Sequence, residues 1–306
     1  MTDITFSVII NCKNSEKYLK EAVDSVLDQS YEIFEIIIVD NNSKDNTSKI
    51  IQSIVDPRIK YFKLNKDLTL GEARNFGILN SNGKYIAFLD SDDFWHNDKL
   101  KKSLSQFINN KIALAYSNVS YFNENSSFNL YSGLSSFSKI IFEDLLKNYN
   151  LCISSCVFNR IHINKLDYLF DPKLEVCEDL DFFLRLSNLG FANYVDEVLV
   201  YYRIHSNNLT KRKRLLFFKE KEYIFKKLAK NFRPKILKNL FFENELDKAK
   251  YFWKIDKNKE SIKIILNSDA PNIFFKSFFS SLFLFKYSFI LKIYSFFKNK
   301  KIDIEI

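Results

Sequence analysis

Phe88-Leu89-Asp90-Ser91-Asp92-Asp93-Phe94-Trp95 closes an apolar run that begins at Lys84, just after Asn82-Gly83. A near-continuous apolar segment bounded by turn residues predicts a strand buried on both faces of a mostly parallel sheet. The strand stops abruptly in three carboxylates. Open α/β sheets bind ligands at the carboxyl ends of their strands. Asp90 and Asp92 are two apart, so in extended chain they point one way and Ser91 the other. Two hard oxygen donors at that spacing suit Mg²⁺ or Mn²⁺ bridging to phosphate oxygens. A plainer use competes with this reading: Asp93 or Asn97 is also placed to cap a helix that starts near Lys99.

The chain upstream repeats the same grammar. Phe6–Ile10 reads as a first strand, and 16–29 as an amphipathic helix carrying Tyr18, Leu19, Ala22, Val23, Val26 and Leu27. Phe34–Val39 is a second strand that also ends in a carboxylate, Asp40. Asp45 is expected to cap the helix that follows. Ile59–Phe62 is a third strand, then come a loop with Asn65 and a helix Glu72–Leu79 with Arg74 near its start. Strands alternating with helices predict an α/β fold with a largely parallel, right-handed sheet.

Composition narrows the class. The 306 residues are 46% hydrophobic, which excludes a disordered chain and allows one large α/β domain with an appendage. The first apolar run lacks a basic flank and a small-residue cleavage site, so it reads as a strand and not as a signal peptide. Cys12, Cys152, Cys156 and Cys177 form no CxxC pair and read as reduced thiols of a cytoplasmic protein. Residues 1–210 hold 22 Lys+Arg against 27 Asp+Glu, whereas 211–306 hold 24 against 10. A basic C-terminal part implies an anionic partner, membrane or nucleic acid. No strand is followed by GxGxxG and no GxxxxGK[ST] occurs, so phosphates would have to be held by a metal and a side chain such as Arg74.

Four ordered motifs together carry a resemblance: Ser7–Ile10 with Asn14, Ile38–Thr47, Gly71–Gly77, and Phe88–Asp93. Over residues 4–205 the chain resembles family 2 glycosyltransferases of GT-A fold, of the type that builds bacterial surface glycans. The resemblance implies a nucleotide-sugar donor, usually UDP-linked, a divalent Mn²⁺ or Mg²⁺, and single displacement with inversion. By motif position, Asp40 would accept a hydrogen bond from uracil, Asn65 would lie in the donor pocket, and Arg74 near the diphosphate. Asp90 would contact ribose or the metal shell, and Asp92 the metal itself. The family often has Pro-x-Tyr-Asn after the first strand. Here the segment is Asn11-Cys12-Lys13-Asn14, which removes the proline and the aromatic ring.

Ala113–Tyr116 and Cys152–Phe158 read as further strands, 123–138 as a loop, and Phe142, Leu145, Leu146 and Tyr149 as a helical face. Glu178-Asp179 opens a helix whose apolar side carries Leu180, Phe183 and Leu184. The pair matches the family's Glu-Asp motif, which makes Asp179 the implied catalytic base and Glu178 its acceptor-side neighbour; Asp181 reads as a first-turn acid without a chemical role. Displacement by a sugar hydroxyl requires a proton acceptor as the bond forms, and a helix start favours an ionised carboxylate. Strand Val195–Tyr202 leads into Arg203-Ile204-His205, similar to the family's Tyr-Arg-x-His segment, where His205 is a candidate third metal ligand.

Beyond Thr210 the pattern is helical: 213–230, 234–254, 257–267, then a segment starting near Pro271. In 274–297, Phe274, Phe275, Phe278, Phe279, Leu282, Phe283, Phe289, Ile290, Ile293 and Phe297 share one helical side. Its lysines argue against a membrane span and for an interfacial amphipathic helix. Packing on the catalytic domain or in a homodimer is the competing use of that side. The expected organisation is a catalytic domain at 1–210 and a basic helical region at 211–306. The expected protein sits on the cytoplasmic face of the inner membrane and acts on a glycan or lipid-linked acceptor. A sugar-nucleotide transferase would need a Gly-rich loop after the first strand, which Asn11–Ser15 lacks. A non-catalytic nucleic-acid binder would need a module signature, and none is present.

Overall fold

A computed structural model describes residues 4–130, 151–231, 234–268 and 273–287. The chain divides into two compact units, Met1–Arg212 and Lys213–Ile306. The expected face at Phe142–Tyr149, the helix start at Pro271, and Phe289, Ile290, Ile293 and Phe297 lie outside the described residues.

In the first unit the elements run β1 (Phe6–Cys12), α1 (Leu19–Leu27), β2 (Phe34–Asp40), α2 (Thr47–Ser53), β3 (Ile59–Lys63), α3 (Leu70–Leu79) and β4 (Tyr85–Asp90). Next come β5 (Phe94–Trp95), α4 (Lys99–Leu104), β6 (Ile112–Phe122), β7 (Ser127–Asn129), a 3₁₀ turn at Ile153–Ser155 and β8 (Cys156–Asn159). The unit ends with α5 (Arg160–Ile163), α6 (Glu178–Leu186), β9 (Phe191–Arg203) and α7 (Leu209–Arg212). One sheet runs β3-β2-β1-β4-β8-β6-β9-β5, with β7 added to β6. β1, β2, β3 and β4 are mutually parallel and β6 is parallel to β9, so most paired positions are parallel. The fold is therefore α/β, a mostly parallel sheet flanked by helices.

Every residue of β1 and β2 is buried, as their apolar runs require. β2 and β3 step outward on one side of β1, and β4 lies on its other side. The strand order thus reverses at β1, which opens a crevice beyond the carboxyl ends of β1 and β4. α3 closes one flank of it. Thr69 and Glu72 form a reciprocal capping box at its start. Gly77 lets α3 press on β1, since a Cβ there would lie 2.5 Å from Ile9 Cγ2. The pairing of Phe94 with Tyr201 and Trp95 with Val200 then brings the end of β9 beside the residues after β4.

Three local expectations are corrected. Neither Asp93 nor Asn97 caps α4; Asp98 takes the cap position and makes no side-chain cap bond. Asp45 stands one residue before the α2 cap position, Asn46, although its Oδ1 accepts from Thr47 N at 3.0 Å. The strand expected from Cys152 begins only at Cys156, because Ile153–Ser155 turn as a 3₁₀ helix. All four cysteines are buried, and none is in a disulfide.

The second unit contains α8 (Arg214–Lys227), α9 (Pro234–Lys254), α10 (Asn258–Asn267) and α11 (Ile273–Leu282). Its core joins Ala249 and Trp253 of α9, Ile265 of α10, and Phe283, with Phe279 and Leu282 packed against them. The Phe-rich side is therefore split. Phe283 is fully buried inside this unit, while Phe278 is 63% exposed. Among the described residues no helix is long and apolar enough to cross a membrane.

Candidate active site

The crevice collects the carboxyl ends of β1, β2 and β4, the start of α6 and the end of β9. Asp40 ends β2 with no exposed surface. Its Oδ1 accepts from Ser43 N at 2.8 Å, and its Oδ2 from Ser48 Oγ and Tyr61 Oη, both at 2.9 Å. Burial alone would push this carboxyl up, but those donors outweigh it and hold Asp40 below the usual aspartate range. Around it the loops are stitched together. Asn14 N donates to Ser43 Oγ at 3.0 Å, Lys13 pairs with Asp67 at 3.0 Å, and Asn42 donates to Asp67 at 2.8 Å. Asn14 and Asn42 have φ of 51° and 58°, a left-handed conformation that asparagine tolerates better than most residues. Asn65 is exposed in the loop after β3.

Arg74 lies one turn into α3, 2% exposed, with its guanidinium over the rings of Phe88 and Phe170. It donates to Asp90 Oδ1 at 3.1 Å and to Glu178 Oε1. One cation thus joins the end of β4 to the first residue of α6. The approach is close because α3 carries Gly71 there, where a Cβ would meet Phe170 Cβ at 3.2 Å and Glu178 Cβ at 3.4 Å. Burial, together with the neighbouring Asp179, raises the Glu178 carboxyl to about 8 against the opposing pull of Arg74. Glu178 Oε2 and Arg74 Nε are buried with no hydrogen-bond partner among the described residues. Asp179 is partly exposed, and its Oδ1 accepts from Leu180 N at 2.7 Å. Asp181, read above as an idle first-turn acid, is buried and paired with Arg185 at 2.9 Å.

The Asp92 carboxylate meets His205 Nε2 at 2.8 Å. Burial first, and then Asp90, raise Asp92, with His205 opposing. Asp93 is fully enclosed and raised further, by burial and by Asp92 and Asp90. Two contacts restrain it: Ser154 Oγ donates at 2.8 Å and Arg203 N at 3.0 Å. Ser154 Oγ also accepts from Asp90 N at 3.2 Å, and Arg203 Nε donates to Asp92 O at 3.0 Å. The Arg203 guanidinium is clamped between the Tyr18 and Phe122 rings, 4.4 and 4.7 Å from their centroids, and pairs with Glu21.

Sequence reasoning assigned no site role to Asp93, Ser154 or Arg203. The run of three acids was the only signal for Asp93. Arg203 stood inside the quoted Tyr-Arg-x-His segment without a role. Ser154 had no signal, because its partner lies 61 positions away in the chain.

The donor set fits a divalent cation. Three acids crowd at one strand end, two of them raised by burial and then by their acidic neighbours, and only Asp90 is paired with a cationic guanidinium, that of Arg74; carboxylate with imidazole suits Mn²⁺. Among the described residues no three His, Cys, Asp or Glu side chains converge closely enough to hold an ion alone. Phosphate oxygens and water would complete such a shell, as Mg²⁺ and Mn²⁺ sites at phosphates commonly do.

Comparison with known proteins agrees with this geometry. A sequence model described as Glycosyl transferase family 2 matches residues 7–166. The UDP-Glc:alpha-D-GlcNAc-diphosphoundecaprenol beta-1,3-glucosyltransferase WfaP of Escherichia coli is 33% identical over 208 residues, 68% of this chain and 80% of that protein. The crystal structure of S. aureus TarS 1-349 in complex with UDP matches with a TM-score of 0.65 at 18% identity, covering 85% of this chain and 79% of that one. The mannosyltransferase PcManGT from Pyrobaculum calidifontis, in complex with GDP-Man and Mn2+, matches at 0.58 and 14% identity, covering 92% of this chain and 81% of that one. The chain belongs to glycosyl transferase family 2 and has the GT-A fold; it is a glycosyltransferase.

Proposed function

We propose that this enzyme transfers a sugar from a UDP-sugar to a lipid-linked glycan acceptor, with inversion, at the cytoplasmic face of the inner membrane during surface-glycan synthesis. The observation that carries the reading is the double engagement of Arg74, which bonds Asp90 on the donor side and Glu178 beside Asp179. A donor diphosphate and a proton-accepting carboxylate would then share one rigid frame. The name of WfaP joins a UDP-glucose donor to a diphosphoundecaprenol-linked acceptor, which supports the same substrate classes here.

In this reading the donor diphosphate lies beyond β1 and β4, near Arg74. Asp92 and His205 would hold Mn²⁺ or Mg²⁺, and when bound the ion would neutralise the charge that builds on the departing diphosphate. Asp179 takes the proton of the acceptor hydroxyl as that oxygen bonds to the anomeric carbon and the bond to the diphosphate breaks. Attack opposite the leaving group inverts the anomeric configuration. The Arg74–Glu178 pair holds the start of α6, and so Asp179, against the donor side.

Incubation with a panel of UDP-sugars and Mn²⁺, with release of UDP as the readout, identifies the donor. Asp179→Asn keeps the shape and removes proton acceptance. Transfer is expected to fall by about 10²–10⁴, with UDP affinity little changed. Loss of UDP binding with turnover of bound donor intact would overturn the role given to Asp179.

A further inference from the structure

Lys99 opens α4 with no exposed surface, and the chemistry above does not use it. Its Nζ donates to Ser155 O at 2.6 Å, and to Ser103 Oγ and Ser117 Oγ, both at 3.3 Å. Three N–H donors thus meet three acceptors, one each on the 3₁₀ turn, α4 and β6. The acceptors are a carbonyl and two hydroxyls, none of them a carboxylate. An ammonium enclosed in this way is unfavourable, and burial lowers Lys99 from the ordinary 10.5 to about 8. An apolar side chain of the same length would avoid that desolvation, so what the ammonium adds is its grip on the turn.

The turn is held at two successive carbonyls. Lys99 takes Ser155 O, and Trp95 Nε1 donates to Ser154 O at 2.9 Å. Both holders belong to the segment that directly follows the three acids. Ser155 N and Ser155 Oγ only bond back to Cys152 O, at 2.9 and 2.7 Å, so they close the turn without anchoring it. The Ser154 hydroxyl meets the acids. It donates to Asp93 Oδ2 at 2.8 Å and accepts from Asp90 N at 3.2 Å. A hydroxyl has one proton, so both bonds require its oxygen at a single point.

We propose that Lys99 is a positioning residue of the donor site: it locks the Ile153–Ser155 turn so that Ser154 holds Asp93 and Asp90 N in the arrangement a donor diphosphate and its cation require. The proposal rests on the reading that these acids serve the donor. Lys99 acts through Ser154 and touches no reacting atom. Deprotonation loosens the lock, because a neutral amine has two N–H donors for three acceptors and its bond to Ser155 O is no longer charge-assisted. The titratable groups that act on Lys99 are the Cys152 and Cys156 thiols, one before the turn and one after it. Burial pushes Cys156 up to about 12 and Cys152 well above its ordinary value, so both stay neutral where Lys99 titrates. Burial raises Tyr116 of β6 as well, and Lys102 of α4 pairs with Glu197 of β9. A lysine lowered by folding makes the folded chain more stable as pH rises from about 8 to 10.5. Over the same range its hold on the turn weakens, so stability and turnover should move in opposite directions.

The test uses the full chain with Lys99→Met, Lys99→Gln, Ser154→Ala and the double variant of Lys99→Met with Ser154→Ala. Exchange of the Asp90 amide, followed by NMR, should quicken about tenfold in Lys99→Met and in Ser154→Ala, while the β1 amides keep the parent's protection. The Mn²⁺ concentration for half-maximal UDP release should rise about tenfold in each single variant and no further in the double, because both act through one hydroxyl. Lys99→Gln keeps an N–H₂ without a charge and should fall between Lys99→Met and the parent. The parent's rate should decline through about pH 8 while its Tm, measured against that of Lys99→Met, increases, and both Lys99 variants should lack that decline. Parent-like Asp90 exchange and Mn²⁺ demand in Lys99→Met would overturn the proposal. So would multiplied losses in the double variant, or Tm and rate that decline together at every pH. If Lys99→Met does not fold, Lys99→Gln carries the same readouts. Should the parent release UDP from no donor, the proposed function falls; faster Asp90 exchange in the Lys99 variants then still upholds the lock, and unchanged exchange overturns it.

Discussion

β2 and β4 flank β1 on its two sides, pair with it in parallel, and each ends in an aspartate: Asp40 opposite Cys12, Asp90 opposite Asn11. Their local sequences, Ile38-Val39-Asp40 and Phe88-Leu89-Asp90, are nearly interchangeable. Their electrostatics are not. At the end of β2 one carboxylate is closed over by a backbone N–H and two hydroxyls and is held ionised below its usual range. At the end of β4 three carboxylates crowd together, and Asp92 and Asp93 are raised. The first end accepts three hydrogen bonds, from Ser43 N, Ser48 Oγ and Tyr61 Oη, which tie it to the loop and strand that follow. The second shares Arg74 and His205 among three crowded acids, two of which are raised, and such perturbed carboxyls gather where ligands bind.

The sharpest way to break this contrast is at Asp92. Asp92→Asn should lower donor turnover by about two orders of magnitude or more, and EDTA should do the same to the parent. Its metal-free Tm should stay or rise, because one of three like charges is gone. A fully active Asp92→Asn enzyme in chelator would remove the β4 end from the chemistry.

Asp40→Asn should behave in the opposite sense. It replaces an acceptor of several charge-assisted bonds, at a cost of about 1.5–3 kcal/mol. At roughly 2–4 °C per kcal/mol for a domain of this size, Tm should drop by several degrees. Should Asp40→Asn instead keep its Tm and lose UDP affinity, Asp40 is a ligand contact and the two strand ends are alike after all.

Acid titration sharpens the point further. Asp40 is depressed below 3.8 in the folded chain, so its contribution is complete above that value and is lost as pH falls through the lower folded value. The stability gap between parent and Asp40→Asn should therefore be widest at neutral pH and narrow below 3.8. Urea midpoints on both sides of that pH measure it; a gap that widens in acid would contradict the assignment. The smallest effect belongs to Ser48→Ala, which removes one of the three donors. About 0.5–1.5 kcal/mol should be lost, with donor turnover unchanged.

Much of this fold could be read before any coordinates. Runs such as Phe34–Val39 are apolar on both faces, and only a doubly covered sheet buries such strands. Parallel connection then sends their carboxyl ends to one side, so Asp40, Asp90 and Asp92 had to converge there. The capping of Asp93 was misread because its real partners, Ser154 and Arg203, are 61 and 110 positions away. No local pattern distinguishes an acid that caps the next helix from one buried against a distant hydroxyl.

The residue order alone therefore determined the alternation of strands and helices, the acids at the strand ends, and the change to a lysine-rich helical region near residue 211. These follow from side-chain periodicity and charge, which are local properties. Tertiary structure alone decided which acids are neutralised by donors and which repel one another, that Glu178 turns to Arg74, and that Phe283 faces inward while Phe278 faces out. The reason is physical: burial, dielectric surroundings and hydrogen-bond partners are supplied by segments far away in the chain, so identical residues acquire opposite properties only after the chain has folded around them.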